Sequence, residues 1–577
     1  MINILLKAER IIETMKVKQP IHEKREYSNI REVIEEIGDI YHGKVAYSYR
    51  IKPSDKEIIE KKYEELRDDV RALTTEFISR GMAGKHIGLI GKLSYHWVLV
   101  YYASLAANAV LVPLDKEWLE ADLAATGAKA ELNYLFCDGD IVAKGRAVAE
   151  ASGAEEPITL EYGEGTIDEL VDLGRVKFEA DSSAYYNQEL DVDKMSLLVF
   201  TSGTTGKGKG VMLSQRNILS DIADPLQYID FSDKTVGVLP PHHTFGSTVN
   251  ILGHNCIGTN MYISSGLRYV QKELAEQKPG HLVLVPLYLE TFYRKIMANI
   301  KAQGKEKLIA RMIKLSNFLL KLGIDLRHKF FGAVLAAFGG EISMVVSGGA
   351  PINQEMLDFY NGVGIEILNG YGITECAPII ACNRSYETIP GSVGPHLSID
   401  EIKIHEPNED GEGEIWAKGS NVMLGYFKDP EATAEAITPD GYFRTGDYGK
   451  LGPRGEIYIT GRKKNLIILS NGKNVYPEEI ESEFTAVPGL IDIIVYEGKS
   501  RRGSDYDAIV AEIFPDEEYM KKNGITDVYA YLKKFVDSYN VNAIPYKKIG
   551  VLKVRTEEFP KNTLRKIMRF KLDMSID

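Results

Sequence analysis

Three adjoining segments limit the architecture more than any other part of the chain. Residues 85–91 (KHIGLIG) and 110–114 (VLVPL) are short apolar runs, and residues 94–109 (SYHWVLVYYASLAANA) between them have helical length. Strand, helix and strand in that order form a βαβ unit, whose parallel strands need cover on both faces. The helix reads as amphipathic, with its apolar side on the sheet. Ahead of it, DKEIIEKKYEELRDDVRALTTEFISRG reads as one long helix ending at Gly81. Further buried strands recur in SLLVF, LVLVP and SMVVSGG, and Ser214 is placed to cap a helix.

A chain of 577 residues exceeds one ordinary domain, and 44% hydrophobic with 26% charged residues is the balance of a folded globular protein. The net charge of −13 excludes general nucleic-acid binding, which needs a basic surface. Cys137, Cys256, Cys376 and Cys382 form no C-x-x-C pair, which argues for a reducing compartment and against a zinc site. The opening MINILLKAERIIETMK is too short and too charged for a signal-peptide core or a membrane span. A cytoplasmic location is expected. From Gly411 the texture becomes β-like (GEGEIWAKG, GEIYITG), and after it comes a charged α/β-like tail. A boundary is placed so that residues 1–463 form one domain and 464–577 a second.

Residues 201–210 (TSGTTGKGKG) space Gly203, Gly208 and Lys209 as in a Walker A loop, but Gly210 replaces the hydroxyl residue that would ligate magnesium. Glycines, hydroxyls and lysine in a loop leaving a strand suit a polyphosphate. A mobile surface turn is the bland alternative. Two other segments, residues 86–89 and 194–198, resemble the HIGH and KMSKS signatures of class I aminoacyl-tRNA synthetases. Each lacks a required residue (the second His, the second Lys), so both read as strand entries.

Three more motif groups follow in order: residues 347–351 with 369–375 (SGGAP, NGYGITE), 441–447 with 461–464 (GYFRTGD, GRKK), and 559–567 (FPKNTLRKI). Together with the loop, they make residues 47–569 resemble the adenylate-forming superfamily of acyl-CoA synthetases, luciferases and peptide-synthetase adenylation domains. The resemblance implies an α/β fold. Its large N-terminal domain has two doubly wound sheets plus a distorted β-barrel, and its small α+β C-terminal domain is mobile. It also implies an acid joined to AMP with pyrophosphate release, then transfer of the acyl group to a thiol. No general base is required, because a carboxylate is already ionised near pH 7.

By the same resemblance, Thr201, Ser202, Gly203, Thr204, Thr205, Gly206 and Lys209 cradle the ATP phosphates. Glu375 holds Mg2+ and Thr374 touches phosphate. Tyr371, within Asn369-Gly370-Tyr371-Gly372, stacks on adenine beside the Gly348-Gly349-Ala350 backbone. Asp447 and Arg462 reach the ribose, Lys566 bridges the acid and the α-phosphate, and Lys464 is the hinge. The turn at Ser470-Asn471-Gly472 enters the site for thiol transfer. Gly208 departs from the family's proline, Arg565 from its glycine, and Asn465 from its usual acidic residue.

Residues 239–246 (LPPHHTFG) resemble the segment lining the acyl pocket, with His243 at the family's histidine and His242 at its aromatic. No Asp stands hereabouts, unlike in amino-acid-activating relatives. The long stretch 305–340 looks like that of long-chain fatty acyl-CoA synthetases. Its basic amphipathic pattern (Lys307, Arg311, Lys314, Lys321) suits either an anionic membrane surface or a core-packed helix with a solvated face. The expected enzyme is thus an AMP-forming medium- to long-chain fatty acid–CoA ligase using ATP, Mg2+ and CoA. It is placed in the cytoplasm with peripheral contact at the inner membrane surface. A carrier protein's phosphopantetheine is the alternative acceptor. A P-loop NTPase and a silent acyl- or nucleotide-binding protein are the alternatives from other classes.

Overall fold

The computed structural model describes residues 20–201, 208–469, 474–484, 487–498, 508–561 and 567–576. The βαβ unit is present as read. His86–Ile90 and Val110–Leu114 are parallel neighbours joined through the helix Tyr95–Ala106. They lie in a seven-stranded sheet that adds Tyr134–Cys137 and Ile158–Thr159 on one side and Met195–Thr201 on the other. His86 and Met195 each open a strand, as expected of the two tRNA-synthetase look-alikes.

The crossover helix is not amphipathic, because every residue from Tyr95 to Ala106 is buried. Helices Tyr63–Ser79 and Ile30–Ile40 pack over it, so it forms a middle layer with apolar neighbours on both sides. Each aliphatic side chain so buried, Val98 and Leu99 among them, contributes roughly 1.5–3 kcal/mol. The helix before Gly81 is also shorter than its sequence pattern suggests. Ile59–Lys62 is a strand pairing antiparallel with Val45–Tyr49, and the helix starts only at Tyr63.

Helices Glu120–Ala130 and Val142–Ser152 cover the opposite face of the large sheet. A second wound layer consists of two four-stranded sheets. One includes Lys234–Gly237 at its edge, and the other begins with His281–Leu284. They abut where Thr235 Oγ1 donates to the His281 carbonyl at 3.0 Å. The expected barrel region is a four-stranded antiparallel sheet of Asp400–His405, Gly413–Gly419, Phe443–Leu451 and Ile457–Arg462. Beyond it, Leu490–Gly498, Ala508–Pro515 and Val551–Val554 form a separate three-stranded sheet. Its core, from Ile467 to Leu552, is distinct from the others.

Candidate active site

The polyphosphate loop does not lead into a helix. Met195–Thr201 and Lys209–Ser214 are antiparallel partners, with Thr201 opposite Lys209, so the loop joins the two arms of a β-hairpin. Ser202, Gly203, Thr204, Thr205 and Gly206 lie outside the described residues. Gly210 is buried, and a Cβ there would sit 3.0 Å from Leu198 Cδ1 and 3.2 Å from Phe200 Cε1. A hydroxyl residue at 210 would therefore point into apolar packing rather than at a phosphate. The missing Walker hydroxyl is a consequence of the hairpin. At Gly208, the carbonyl accepts from Lys129 Nζ at 2.9 Å.

The strand Glu366–Gly372 carries Asn369, Gly370, Tyr371 and Gly372, and the turn Thr374–Cys376 carries Thr374 and Glu375. Tyr371 donates its hydroxyl to Asp447 Oδ2 at 2.7 Å, and Arg462 Nε approaches Asp447 Oδ1 at 2.8 Å. Asp447 and Arg462 are cross-strand partners, which fixes their pairing by register. Burial and the Asp447 charge hold the Tyr371 phenol well above its ordinary range, so it remains a donor.

Gly348, after the buried strand Met344–Ser347, stacks its backbone on the same region. The point where its Cβ would sit is 3.4 Å from the Gly370 carbonyl oxygen and 3.6 Å from Phe245 Cζ. Gly349 and Ala350 continue this turn and are exposed. Phe245 opens a nine-residue π-helix, Phe245–Gly253, a widened helix form that recurs at functional sites. His243 stands two residues before it, its carbonyl accepting from the Gly246 and Ser247 amides at 2.8 and 2.9 Å. The segment expected to line the acyl pocket thus abuts the segment expected to border adenine.

Two residues of this neighbourhood were not legible in the sequence. Tyr426, from the two-residue strand Gly425–Tyr426, donates to Glu375 Oε1 at 2.8 Å, while Lys209 Nζ stands 4.6 Å from its ring centroid. Asp115, at the end of Val110–Leu114, lies buried with Oδ2 3.6 Å from His242 Nε2. The acyl segment therefore has an acidic neighbour that residues 239–246 do not reveal. Burial pushes His242 down to about 4, so the ring is neutral at pH 7 and the contact is not an ion pair there. The two line a crevice of about 290 Å³ at the carboxyl ends of parallel strands. The only local signal was the apolar strand ending in a polar residue, which is common to many strands.

Beneath Glu375, the Ile379 backbone is held from both sides. Its amide donates to Asp221 Oδ1 at 3.0 Å, and its carbonyl accepts from Asn421 Nδ2 at 2.8 Å. Asp221 Oδ2, Asp400 Oδ1 and Asn421 Oδ1 are buried and find no donor among the described residues. Asp400 is pushed up to about 8 by burial; burial and then Asp400 raise Asp221 well above the carboxylate range. Asp400 is therefore a neutral acid near pH 7.

Lys464 lies in the turn Lys463–Asn465, its ammonium destabilised by burial and then by the charges of Arg462 and Arg569. Lys566 and the Ser470-Asn471-Gly472 turn fall outside the described residues. Among the described residues no group of three or more His, Cys, Asp or Glu side chains could hold a metal. One carboxylate, Glu375, fits Mg2+ nonetheless. That ion is usually bound by one or two carboxylates plus substrate phosphates and keeps several waters.

Two wound sheet layers meeting an antiparallel sheet, with the strand and turn 366–376 bonded to Asp447 and Tyr426, define the architecture of an adenylate-forming enzyme. A family model described as AMP-binding enzyme matches residues 35–427, and the chain belongs to that family. It is an ATP-dependent ligase of the AMP-forming, acid–thiol type. Long-chain-fatty-acid–CoA ligase FadD15 of Mycobacterium bovis is 29% identical over 454 residues, 75% of this chain and 74% of the relative. The chloroplastic long-chain-fatty-acid–[acyl-carrier-protein] ligase AEE15 of Arabidopsis thaliana is 30% identical over 412 residues, 61% of this chain and 56% of the relative. ATP-bound MatB from Rhodopseudomonas palustris shares the fold at a TM-score of 0.71 and 23% identity, covering 94% of this chain and 98% of its own. The o-succinylbenzoate coenzyme A synthetase MenE of Bacillus subtilis, bound to ATP and magnesium, shares it at 0.67 and 19%, covering 94% and 98%.

Proposed function

We propose that this ligase activates a medium- to long-chain fatty acid with ATP and Mg2+, releases pyrophosphate, and passes the acyl group to CoA. The observation that carries the reading is the convergence of Lys209, Glu375, Tyr371 and Asp447 around residues 369–375. Tyr371 and Asp447 fix the nucleoside, while Lys209 and the loop residues neutralise the departing phosphates. Glu375 would hold Mg2+, which when bound would supply further positive charge at those phosphates. Lys566 brings the carboxylate onto the α-phosphorus, so that catalysis is positioning plus charge neutralisation. Residues 464–577 are read as the mobile domain that turns about Lys464 between adenylation and thiol transfer.

The fatty acid is supported by the names of the relatives and by the helix Glu306–Lys321. One side packs through Ile309, Met312 and Ile313 on the core, and the other leaves Leu308, Leu315 and Phe318 exposed beside Lys307, Arg311 and Lys314. This supports peripheral contact with an anionic bilayer, in which long acids dissolve. Four free cysteines support the cytoplasm as its compartment. No helix among the described residues is long and apolar enough to cross a membrane. A carrier-protein acceptor is the second reading, supported by the name of the Arabidopsis relative.

The test is pyrophosphate release across fatty, aromatic and amino acids, each with CoA and with holo-carrier protein. AMP and pyrophosphate with long fatty acids and CoA are expected. Activity confined to amino or short acids would overturn the substrate reading. Charge reversal of Lys307, Arg311, Lys314 and Lys321 should abolish binding to phosphatidylglycerol vesicles; unchanged, salt-independent binding would refute the membrane contact.

A further inference from the structure

Lys209 and Glu375 carry opposite charges on adjoining elements, yet no ion pair joins them among the described residues. What stands between them is Tyr426. Its ring lies 4.6 Å from Lys209 Nζ and its hydroxyl donates to Glu375 Oε1 at 2.8 Å. The side chain is held firmly for this task. Tyr426 pairs with Val211 across the edge of the large sheet, and the Phe427 amide donates to the Gly210 carbonyl at 2.7 Å. The Tyr426 amide donates to Thr433 Oγ1 at 2.8 Å, and only 7% of the residue is exposed. The same strap reaches the Glu375 backbone, whose carbonyl accepts from the Met423 amide at 2.8 Å. Two bonds therefore fix Glu375 from one segment, one to its side chain and one to its main chain.

A lysine close to a carboxylate would collapse onto it, neutralising both before a nucleotide arrived. An aromatic face holds the ammonium by its quadrupole without consuming its charge. A phenol occupying one carboxylate oxygen orients the other without neutralising it. We infer that Tyr426 is a positioning residue that separates Lys209 from Glu375, keeping the cation available to phosphate and the carboxylate available to Mg2+. This rests on the roles given to Lys209 and Glu375 above.

Equilibrium titration of ATP into the full-length protein, without acid or CoA and at a series of Mg2+ concentrations, tests it. Tyr426→Phe keeps the ring and removes the hydroxyl. It should raise the Mg2+ needed for half-maximal ATP binding by roughly tenfold, as for a lost hydrogen bond to a charged group, with metal-free ATP affinity unchanged. Tyr426→Leu should also weaken metal-free ATP binding, by roughly threefold, through loss of the ring under Lys209. Should the leucine variant fail to fold, the phenylalanine variant still decides the point. If Glu375→Gln does not alter Mg2+ dependence, the site reading itself fails. If Glu375→Gln alters it and Tyr426→Phe does not, only the inference about Tyr426 is overturned. Equal loss of metal-free affinity in both Tyr426 variants would mark a packing role and overturn it too.

Discussion

Replacing Asp400 by asparagine should stabilise the protein, and by more as the pH rises. The ordinary carboxyl value is 3.8, and burial raises Asp400 to about 8 in the folded chain. Between those values the native state holds a proton that the unfolded state has released. Stability must then fall with rising pH, by about 1.4 kcal/mol per unit for one proton. The contribution is fully present below pH 3.8, declines through neutrality, and is lost as pH passes about 8. From pH 6 to 8 the wild type should lose roughly 2.5 kcal/mol to this group alone. An asparagine amide supplies a permanent donor at the place of the acid proton, beside Asp221 Oδ2 and Asn421 Oδ1, both without donors among the described residues. Gly419 leaves the space, since Asn421 Oδ1 lies 2.8 Å from where its Cβ would sit. Urea unfolding can be followed by tryptophan fluorescence, because Trp97, Trp118 and Trp416 all precede residue 464. The difference between variant and wild type should widen from pH 6 to 8. Parallel pH curves, or a variant less stable than wild type at pH 8, would refute the neutral-acid argument.

Lys566→Ala should abolish ATP–pyrophosphate exchange while still transferring acyl groups from supplied acyl-adenylate, and undiminished exchange would remove Lys566 from the site. Gly210→Ser should cost about 1–3 kcal/mol in thermal or urea unfolding through overpacking against Leu198 and Phe200, and should yield no ADP from ATP. The buried pair His254 and His281, joined Nε2 to Nε2 at 2.8 Å, should make the protein acid-sensitive. Burial holds His254 at about 4 against 6.5, so its neutral native form is favoured above pH 6.5 and that advantage is lost as pH falls towards 4. Unfolding midpoints of His254→Gln should fall less steeply over that interval than those of the wild type.

Local pattern was enough for some elements and not for others. The strand periodicities around residues 85–114 exposed the sheet, and the order of the four motif groups exposed the family. Tyr95–Ala106 read as one-faced because period alone does not reveal that a second helical layer lies over its outer side. Ile59–Lys62 read as helix because its charged residues match helix propensity, while its strand character comes from pairing with Val45–Tyr49. Tyr426 lies 51 positions from Glu375, and Asp115 faces His242 from another sheet layer. Such meetings depend on topology, and no short window of sequence contains them. The Asp221 and Asp400 acids were invisible for the same reason, since aspartates in sequence read as exposed.

The two-residue strand Gly425–Tyr426 has a consequence for solubility. It pairs at Val211 and Met212 with the outermost long strand of the seven-stranded sheet. An uncovered strand edge is a template for aggregation, and proteins blunt such edges with short segments. The segment that holds Glu375 through Tyr426 and Met423 is thus also the guard of that edge. Damage to it should surface as precipitation or intermolecular strand pairing as well as weakened turnover.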